Sequence, residues 1–410
     1  MRYLDFVDLE YEPDETDLIC AFRIEPDGIG MEEAAGAVAA ESSIGTWTEL
    51  GTEKPYVKRL AARVYKIEGD LIEIAYPIEL FEPGNMPNIL SSIAGNIFGL
   101  RALRGIRLED IRFPKGLLEG FRGPRHGIGG IRAILRVRNR PLLGTIIKPK
   151  LGLRAEDHAQ VAYEAWIGGC DIVKDDENLS GQAFNPFEER LLKTLEARDR
   201  AEEKTGERKA YMVNITAETG KMLKRAELVL ERGGEYAMVD VLTCGFAALQ
   251  TLRERDLGLI IHAHRAGHAA MTRNPRHGIS MRALAKALRA VGVDQLHIGA
   301  VVGKMSETRE EVAGNLEALK GEMGHLKPVM PVASGGLHPA LVPALVGFFG
   351  IDVVIQAGGG IHGHPRGTVE GARAMRQAIE AALGGVPLAE YARAHGELRA
   401  ALEAWGGPRG

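Results

Sequence analysis

The sequence predicts an α/β protein in which an N-terminal α+β (ferredoxin-like) domain, residues 1–123, precedes a (β/α)8 TIM barrel, residues 124–410. From residue 130 onward, a short apolar run followed by a helical stretch recurs eight times, which is the pattern of such a barrel. Residues 1–123 instead mix strand and helix patterns without repeated crossovers. Proline and glycine cluster at 113–116 and 123–127, which predicts the domain boundary there.

The predicted elements of the N-terminal domain come from local periodicity and turn residues. Residues 18–24 alternate like a strand, and the alanine-rich stretch 31–41 predicts a helix. Residues 64–77 predict two strands joined by a turn at 68–70, and 88–98 predict a second helix after proline and glycine breakers.

The barrel prediction depends on eight strand–helix pairs. The predicted strands are 143–150, 171–177, 211–216, 236–241, 259–265, 295–301, 329–336 and 353–360. The predicted helices are 155–167, 187–204, 220–232, 246–255, 280–291, 307–322, 339–348 and 367–383. An open doubly wound sheet is the rival arrangement, but eight regular units favour a closed barrel.

Composition excludes several classes of function. A net charge of −4 argues against a nucleic-acid or membrane-binding surface. The three cysteines are far apart and in no metal-ligand spacing, which fits a reduced compartment. The N-terminus is acidic where a signal peptide would be apolar, and no apolar run is long enough to span a membrane. We therefore expect a cytoplasmic protein.

Polar residues and glycines lie at the predicted carboxyl ends of six of the eight strands. They are Lys148 and Lys150, then Lys174, Asp176 and Glu177, then His264 and Arg265, then His297, then Ser334, Gly335 and Gly336, and finally Gly358 and Gly359. Active sites of (β/α)8 barrels lie at this face. Any one of these residues could be an ordinary core or capping group, but together they predict a catalytic site.

The second strand ends in the segment Lys174-Asp-Asp-Glu177, which organises the predicted site. Alternation along a strand puts Lys174 and Asp176 on one face and Asp175 on the other. Two converging carboxylates favour a hard cation such as Mg²⁺. Lys174 fits beside them as a Schiff base, as an ion pair, or as a carbamate formed with CO₂, which would supply a third anionic ligand. An ordinary salt-bridged strand end is the alternative.

Phosphate and proton-transfer chemistry is expected around this metal site. The glycines after the last two strands expose backbone N–H groups, and Arg265 with His297 could hold a second phosphate. A bisphosphate with its middle over the metal is therefore a candidate substrate. Lys148 is a candidate proton acceptor from a carbon next to a carbonyl. Lys304 follows a glycine on a loop that could close over the substrate.

These motifs resemble those of the ribulose-bisphosphate carboxylase/oxygenase (RuBisCO) large chain, in order and over nearly the whole sequence. The resemblance lies in Gly-Thr-Ile-Ile-Lys148-Pro-Lys150, Gly-Gly-Cys-Asp-Ile-Val-Lys174-Asp-Asp176-Glu177-Asn, His264-Arg265-Ala-Gly-His268, His297-Ile-Gly-Ala-Val-Val-Gly-Lys304, Ser334-Gly-Gly and Gln356-Ala-Gly358-Gly359-Gly360. Glu41-Ser-Ser-Ile-Gly-Thr46-Trp47 and Gly95-Asn96 match in the first domain. Short length and local motifs resemble the archaeal-type form III branch.

The resemblance implies a role for each matching residue. Lys174, as a carbamate, binds Mg²⁺ with Asp176 and Glu177, and the catalytic set is Lys148, Lys150, Lys174, His264, Lys304, Glu41 and Asn96. The substrate-binding set is Thr46, Trp47, Arg265, His297, Lys304, Ser334, Gly335, Gly336, Gln356, Gly358 and Gly359. Glu41 and Asn96 come from a second subunit, so the active unit is expected to be a homodimer with shared sites and the option of further assembly, but without a small subunit.

The implied activity is that of a carbon–carbon lyase for carbon dioxide fixation. It enolises ribulose 1,5-bisphosphate, adds CO₂, then hydrates and cleaves the product to two 3-phosphoglycerates. A monooxygenase side reaction with O₂, an oxidoreductase activity, accompanies it. The form III branch implies a place in AMP and nucleoside catabolism. Neither nucleic acid nor membrane is an expected partner.

Three other functions remain open at this stage. A RuBisCO-like enolase or isomerase acting on a methylthio-sugar phosphate has the same fold, but typically lacks some positions equivalent to Glu41, Asn96 and Lys304, which this chain has. A Schiff-base aldolase could use Lys174 without a metal. A non-catalytic sugar-phosphate-binding protein would leave Lys148, Lys174 and His264 unexplained.

Overall fold

A computed structural model describes residues 2–48 and 50–406 of the chain. The strands are β1 (Leu18–Pro26), β2 (Arg63–Glu68), β3 (Leu71–Tyr76), β4 (Leu103–Arg112), β5 (Leu142–Ile146), β6 (Ile172–Lys174), β7 (Ala210–Asn214), β8 (Tyr236–Asp240), β9 (Ile260–His264), β10 (Gly278–Ile279), β11 (Gln295–His297), β12 (Met330–Ser334) and β13 (Val354–Gln356). The helices are α1 (Met31–Glu41), α2 (Met86–Ile93), α3 (Lys115–Leu118), α4 (Gly127–Leu135), α5 (Ala155–Gly168), α6 (Phe187–Thr205), α7 (Thr219–Glu231), α8 (Val241–Cys244), α9 (Phe246–Glu254), α10 (Ala269–Thr272), α11 (Met281–Val291), α12 (Arg309–Lys320), α13 (Val342–Phe349), α14 (Gly359–His362), α15 (Thr368–Leu383), α16 (Leu388–Tyr391) and α17 (Gly396–Trp405).

The chain divides into two compact units. The first comprises Met1–Gly123, Gly267–Gly292 and Gly321–Leu326, and the second comprises Pro124–Ala266, Val293–Lys320 and Lys327–Gly410. The helix predicted at 280–291 is α11, which follows barrel strand β9 in sequence but groups with the first unit. Domain limits of 1–123 and 124–410 remain a prediction.

The first unit contains a ferredoxin-like sheet. Strands β1 to β4 pair antiparallel in the order β4-β1-β3-β2, with α1 and α2 as the two crossovers, and short β10 adds in parallel beside β4. One face of β1 is buried because Leu18, Cys20, Phe22 and Ile24 alternate with more exposed residues. The predicted α+β class of this part is confirmed.

The predicted helix 88–98 is wrong as a single element. Helix α2 begins two residues earlier, where the side chain of Asn85 accepts a hydrogen bond from the Asn88 amide at 3.1 Å. It ends at Ile93, and a separate 3-10 turn covers Asn96–Gly99. Gly95 separates them because its backbone passes so close to the Ser91 carbonyl that a Cβ would clash with it.

The second unit contains a closed barrel of eight parallel strands within the described residues, in the order β5-β6-β7-β8-β9-β11-β12-β13 and back to β5. Its strands are almost wholly buried on both faces, as expected when helices surround a parallel sheet. Ile128, Ile131 and Leu135 of α4 pack into one core cluster with residues near the strand beginnings, such as Leu142 and Tyr236. Helix α4 thus covers the amino-terminal end of the barrel and leaves the carboxyl end for the site.

Candidate active site

The barrel strands end earlier than the sequence predicted, so several site residues lie in the loops that follow. β5 ends at Ile146, two residues before Lys148, and β6 ends at Lys174 itself. The apolar runs predict strands that are too long. The reason is that residues after the last strand hydrogen bond remain buried at the barrel rim. Pro149 has no N–H to donate, so β5 could not continue through this position.

Lys174 is the central buried cation of the barrel mouth. It is only 1% exposed, and its Nζ donates to the Asp175 carbonyl at 2.8 Å. The same nitrogen lies 3.4 Å from Oε2 of Glu177 and 3.2 Å from the sulfur of Met238. Burial alone would raise the pKa of Glu177, but the charge of Lys174 is the largest of the effects that together lower that pKa.

Asp176 lies beside this pair and binds the other candidate lysine. Its Oδ2 accepts from Lys148 Nζ at 2.8 Å, and its Oδ1 accepts from the Asn178 side chain at 3.0 Å. Burial is the largest single effect and raises the pKa of Asp176, but these hydrogen bonds together with the Lys148 charge outweigh it and lower that pKa. Lys148, Lys174, Asp176 and Glu177 therefore form a cluster with two formal positive and two formal negative charges.

Asp175 points away from this cluster, as the alternation predicted, and anchors the strand end from behind. Its carboxylate accepts from Arg190 Nε at 3.1 Å, from the Tyr211 hydroxyl at 2.6 Å and from the Asn214 amide at 2.9 Å. Burial raises the pKa of Asp175, but the Arg190 charge is the largest of the effects that together lower it strongly. The Asn214 side chain also donates to the carbonyl of Glu177 at 3.0 Å, which fixes the loop.

His264 at the end of β9 is oriented by Asp240, a residue that our sequence reasoning missed. His264 Nδ1 lies 2.7 Å from Oδ1 of Asp240, and its Nε2 lies 3.6 Å from Oε2 of Glu177. A proton on Nδ1 donated to the carboxylate leaves Nε2 as the basic nitrogen facing the cluster. Asp240 ends β8, so the strand-end pattern that identified the other residues could have found it.

A chain of hydrogen bonds crosses the barrel interior from β9 to β12. His262 Nδ1 bonds Gln295 Oε1 at 2.8 Å, His262 Nε2 bonds His297 Nε2 at 3.0 Å, and His297 Nδ1 bonds Ser334 Oγ at 2.9 Å. Burial lowers the pKa of both histidines well below the ordinary value, so both are neutral. Both ring nitrogens of His297 are engaged, so a phosphate that bonds to this ring has to displace Ser334 or His262.

The loop that carries Lys304 rests on the glycines after β12. The Lys304 amide donates to the Gly335 carbonyl at 3.1 Å, and a Cβ on Gly336 would lie 3.1 Å from Lys304 Cγ. Gly335 has no room for a side chain because Met305 lies against it. A cavity of about 650 Å³ is lined by Lys304, Gly336, Gly359 and Trp405, among others. Trp405, from α17, is a lining residue that sequence reasoning did not single out.

The end of β13 brings Lys148 close to the glycines. A Cβ on Gly358 would lie 3.2 Å from Lys148 Cε, so a side chain there would press on the lysine. Gln356 is fully buried and donates to the Thr145 carbonyl at 3.1 Å, which ties β13 to β5. Gly359 is exposed, and Lys150 is exposed after β5.

The remaining predicted site residues belong to the first unit. Glu41 ends α1 and accepts a hydrogen bond from the Tyr3 hydroxyl at 3.0 Å, and burial with this contact raises the pKa of Tyr3 to about 12. Asn96 is exposed at the start of its 3-10 turn. Thr46 is half-buried, and Trp47 is 80% exposed, which is unusual for so large an apolar side chain.

Two family models together match almost the entire chain. The model described as ribulose bisphosphate carboxylase large chain, catalytic domain, matches residues 127–405. The model for the N-terminal domain of the same chain matches residues 5–117. The chain belongs to the ribulose bisphosphate carboxylase large-chain family.

Similar proteins in this family come from archaea. The ribulose bisphosphate carboxylase of Methanocaldococcus jannaschii is 52% identical over 98% of this chain and 100% of its own length. That of Pyrococcus abyssi is 52% identical over 98% of this chain and 97% of its own. The predictions of the family and of a carboxylase enzyme are confirmed.

Solved RuBisCO structures have the same fold. The octameric ribulose-1,5-bisphosphate carboxylase/oxygenase from Pyrococcus horikoshii OT3, in complex with sulfate, gives a TM-score of 0.97 at 50% identity and covers 100% of this chain and 98% of that chain. The dimeric archaeal RuBisCO from Hyperthermus butylicus gives 0.92 at 48% identity over 98% of this chain and 99% of that chain. The predicted fold class is confirmed. No helix among the described residues has the length and apolar character needed to cross a membrane.

Proposed function

We propose that this chain is a Mg²⁺-dependent ribulose-1,5-bisphosphate carboxylase that carries an activating carbamate on Lys174. Substrate, CO₂ and water would be converted to two molecules of 3-phosphoglycerate. One observation supports the proposal above all others. Lys174 is only 1% exposed and lies among Asp176, Glu177 and Lys148 at the barrel mouth. Burial of an ammonium group is costly, and an ordinary strand end does not need one.

The charges of the cluster fit a carbamate and a divalent cation together. The Lys174 ammonium loses a proton, the free amine attacks CO₂, and a second proton leaves as the N–C bond forms, so the side chain changes from +1 to −1. The cluster of Lys148, Lys174, Asp176 and Glu177 then goes from a formal charge of zero to −2. A divalent cation restores neutrality, so activation buries no net charge.

The donor set fits Mg²⁺ only if Lys174 is modified. Among the described residues no group of three or more His, Cys, Asp or Glu could hold a metal, because Asp176 and Glu177 supply two carboxylates and the third position is Lys174. The carbamate, Asp176 and Glu177 would provide the oxygen ligands that Mg²⁺ prefers. When bound, the ion would stabilise negative charge that develops on the substrate oxygens.

The protein groups around this site suit the proton transfers of the reaction. Lys148 Nζ lies 2.8 Å from Asp176 and beside Gly358, so once it has left Asp176 and lost its own proton it would accept a proton at the substrate carbon and later return one to the product. His264, with Nδ1 held by Asp240, presents Nε2 for proton transfer during hydration. Lys304 would bring a positive charge to the developing carboxylate, and Lys150 would support the metal site.

Phosphate binding is assigned to the two sides of the barrel mouth. We assign one phosphate to backbone N–H groups of Gly335, Gly336, Gly358 and Gly359, near the cavity beside Lys304. Thr46 and Trp47, which belong to the first unit, are assigned to phosphate binding by the family resemblance alone. We assign the other to Arg265 and His297, with Ser334 on a sugar hydroxyl and Gln356 holding the rim.

A homodimer with shared sites is the proposed active unit. Glu41 and Asn96 would act in the site of a second copy, and no small subunit would be required. The P. horikoshii protein is described as octameric and the H. butylicus protein as dimeric, so assembly beyond a dimer varies among relatives. We also propose an oxygenase side reaction with O₂, a role in AMP and nucleoside catabolism, and a cytoplasmic location.

A carboxylation assay tests the proposal. The purified chain, preincubated with MgCl₂ and ¹⁴C-bicarbonate, should convert ribulose 1,5-bisphosphate into acid-stable labelled 3-phosphoglycerate, and EDTA should abolish this. Absence of label with wild-type enzyme would contradict the carboxylase. Isomerisation of a methylthio-sugar phosphate without labelling would instead identify the RuBisCO-like enolase or isomerase.

A further inference from the structure

Arg265, the predicted phosphate ligand, is paired with an acidic residue that the proposed reaction does not use. Arg265 follows β9 and is 6% exposed, and its Nη2 donates to Oε1 of Glu307 at 2.5 Å. The side chain of Glu307 is only 12% exposed although it lies in the segment between β11 and α12. This is a buried ion pair at the place where a phosphate is expected.

Arg265 keeps hydrogen-bonding capacity for a second anion. Its Nη1 is fully buried and has no hydrogen-bond partner within residues 2–48 and 50–406. Burial lowers the pKa of Arg265, and the Glu307 carboxylate acts against that shift. A buried guanidinium needs a counter-charge when the site is empty, and Glu307 supplies it from one side.

Glu307 belongs to the same short loop as Lys304. Its carboxyl carbon would lie 3.2 Å from a Cβ on Gly299, just after β11, so the end of the loop rests against the barrel rim. At the beginning of the loop, the Lys304 amide donates to the Gly335 carbonyl at 3.1 Å. The ion pair is therefore one of the contacts that hold the Lys304 loop in its observed position.

We propose that Glu307 is a stand-in for the substrate phosphate: it neutralises Arg265 in the empty site and is displaced when a phosphate binds. The proposal rests on the assignment of Arg265 as a phosphate ligand in the proposed function. A phosphate and the Glu307 carboxylate repel each other when they share one guanidinium. Displacement frees segment 303–308, so arrival of the phosphate is coupled to movement of Lys304.

The direction in which Glu307→Gln changes anion binding distinguishes a competitor of phosphate from a residue that positions Arg265. If Glu307 competes with phosphate, Glu307→Gln removes the competitor and tightens anion binding. If Glu307 instead positions Arg265 for phosphate, the same change weakens binding. The variant keeps the shape of the side chain and removes only its charge.

Calorimetric titration of metal-free, bicarbonate-free enzyme with inorganic phosphate, and separately with ribulose 1,5-bisphosphate, tests the proposal without turnover. We expect Glu307→Gln to bind both about 5- to 20-fold more tightly, within the usual range of coupling between sites. Glu310→Gln makes the same charge change at an exposed position on α12 and should alter binding less than twofold. Unchanged or weaker binding by Glu307→Gln would overturn the proposal, whether or not the chain carboxylates its substrate.

Two further measurements keep the test independent of the folding of one variant. In an Arg265→Met background, Glu307→Gln should no longer tighten phosphate binding, and persistence of the gain would contradict the proposed competition. In the wild-type protein, inorganic phosphate should speed amide hydrogen exchange over 303–308. It displaces Glu307 from Arg265 and so releases the loop, but it is too small to connect the two sides of the site and hold the loop closed. Exchange that slows or stays the same would count against the coupling.

Discussion

The ammonium of Lys148 lies 2.8 Å from Oδ2 of Asp176, so the proposed proton acceptor is paired with a proposed metal ligand. In the proposed function, Mg²⁺ binding at Asp176 would break this contact. Positive charge on Lys148 therefore opposes metal binding at Asp176 while the site is empty. The same change would free Lys148 to lose its proton and face the substrate, which would link metal binding to the readiness of the base.

Lys148→Met should separate these two effects. Turnover should fall by 10²- to 10⁴-fold, the usual loss for a general base. Binding of Mg²⁺ in the presence of bicarbonate should tighten by about fivefold, because removal of a partly exposed ion pair is worth about 1 kcal/mol. Labelled-bicarbonate assays and calorimetric titration with MgCl₂ measure the two. Lys115→Gln, an exposed lysine outside the site, is the control, and weaker Mg²⁺ binding by Lys148→Met would contradict the competition.

Lys174→Ala should abolish activation as well as activity. Wild-type activity should rise when enzyme is preincubated with bicarbonate and MgCl₂ before substrate is added, and ¹³C-labelled CO₂ should give a carbamate signal in NMR spectra. The variant should show neither. Lys209→Met is the control, because Lys209 is also fully buried. Lys209 lies just before β7 and pairs with Glu207 and the Cys170 carbonyl, outside the catalytic cluster. An equal preincubation effect in Lys174→Ala would refute the carbamate.

Asp175→Asn should destabilise the fold without changing the charge of the catalytic cluster. Loss of one member of a buried ion pair with Arg190 typically costs about 3–5 kcal/mol. Because the pKa of Asp175 is lowered in the folded protein, its stabilisation is present above the unfolded pKa of about 4 and is lost as pH falls below it. Urea unfolding from pH 7 to pH 3 should show the difference between wild type and variant shrinking in acid.

Asp27→Asn is the control for Asp175→Asn. It removes an exposed partner of Arg104 and should lower the free energy of unfolding by at most about 1 kcal/mol. A difference for Asp175→Asn that is as small as this, or that grows toward acid, would show that the buried carboxylate is not the source of the stability.

The fold and most of the candidate site were predicted from where apolar runs end in the sequence. Lys174 and His264 were predicted because parallel strands bring their carboxyl ends to one rim of a barrel. Asp240 ends β8 and carried the same signal, but was missed. Strand lengths were overestimated where buried residues such as Ile298 and Ala300 continue past the last ladder pair of β11. Glu307 gave no local signal, since its partner Arg265 lies 42 residues away and a loop carries it.

His262→Gln should make the protein less sensitive to acid. Burial lowers the pKa values of His262 and His297 well below 6.5, so the folded protein keeps both neutral while the unfolded chain binds protons. Their contribution to stability is complete above the unfolded pKa of about 6.5 and is lost as pH falls below it, by up to about 1.4 kcal/mol per pH unit for each histidine. Gln at 262 cannot titrate, so its unfolding free energy should fall less steeply between pH 6 and pH 5.

This measurement should be made without bicarbonate and Mg²⁺, since Lys174 contributes to the lowered pKa of both rings and its charge would change on carbamylation. Urea unfolding at pH 7, 6 and 5 gives the slopes for the wild type and for His262→Gln. A steeper slope for His262→Gln than for wild type would mean that the buried pair is charged at pH 6. The hydrogen-bond chain from Gln295 to Ser334 would then carry an extra proton. A phosphate near His297 would interact with a charged rather than a neutral ring.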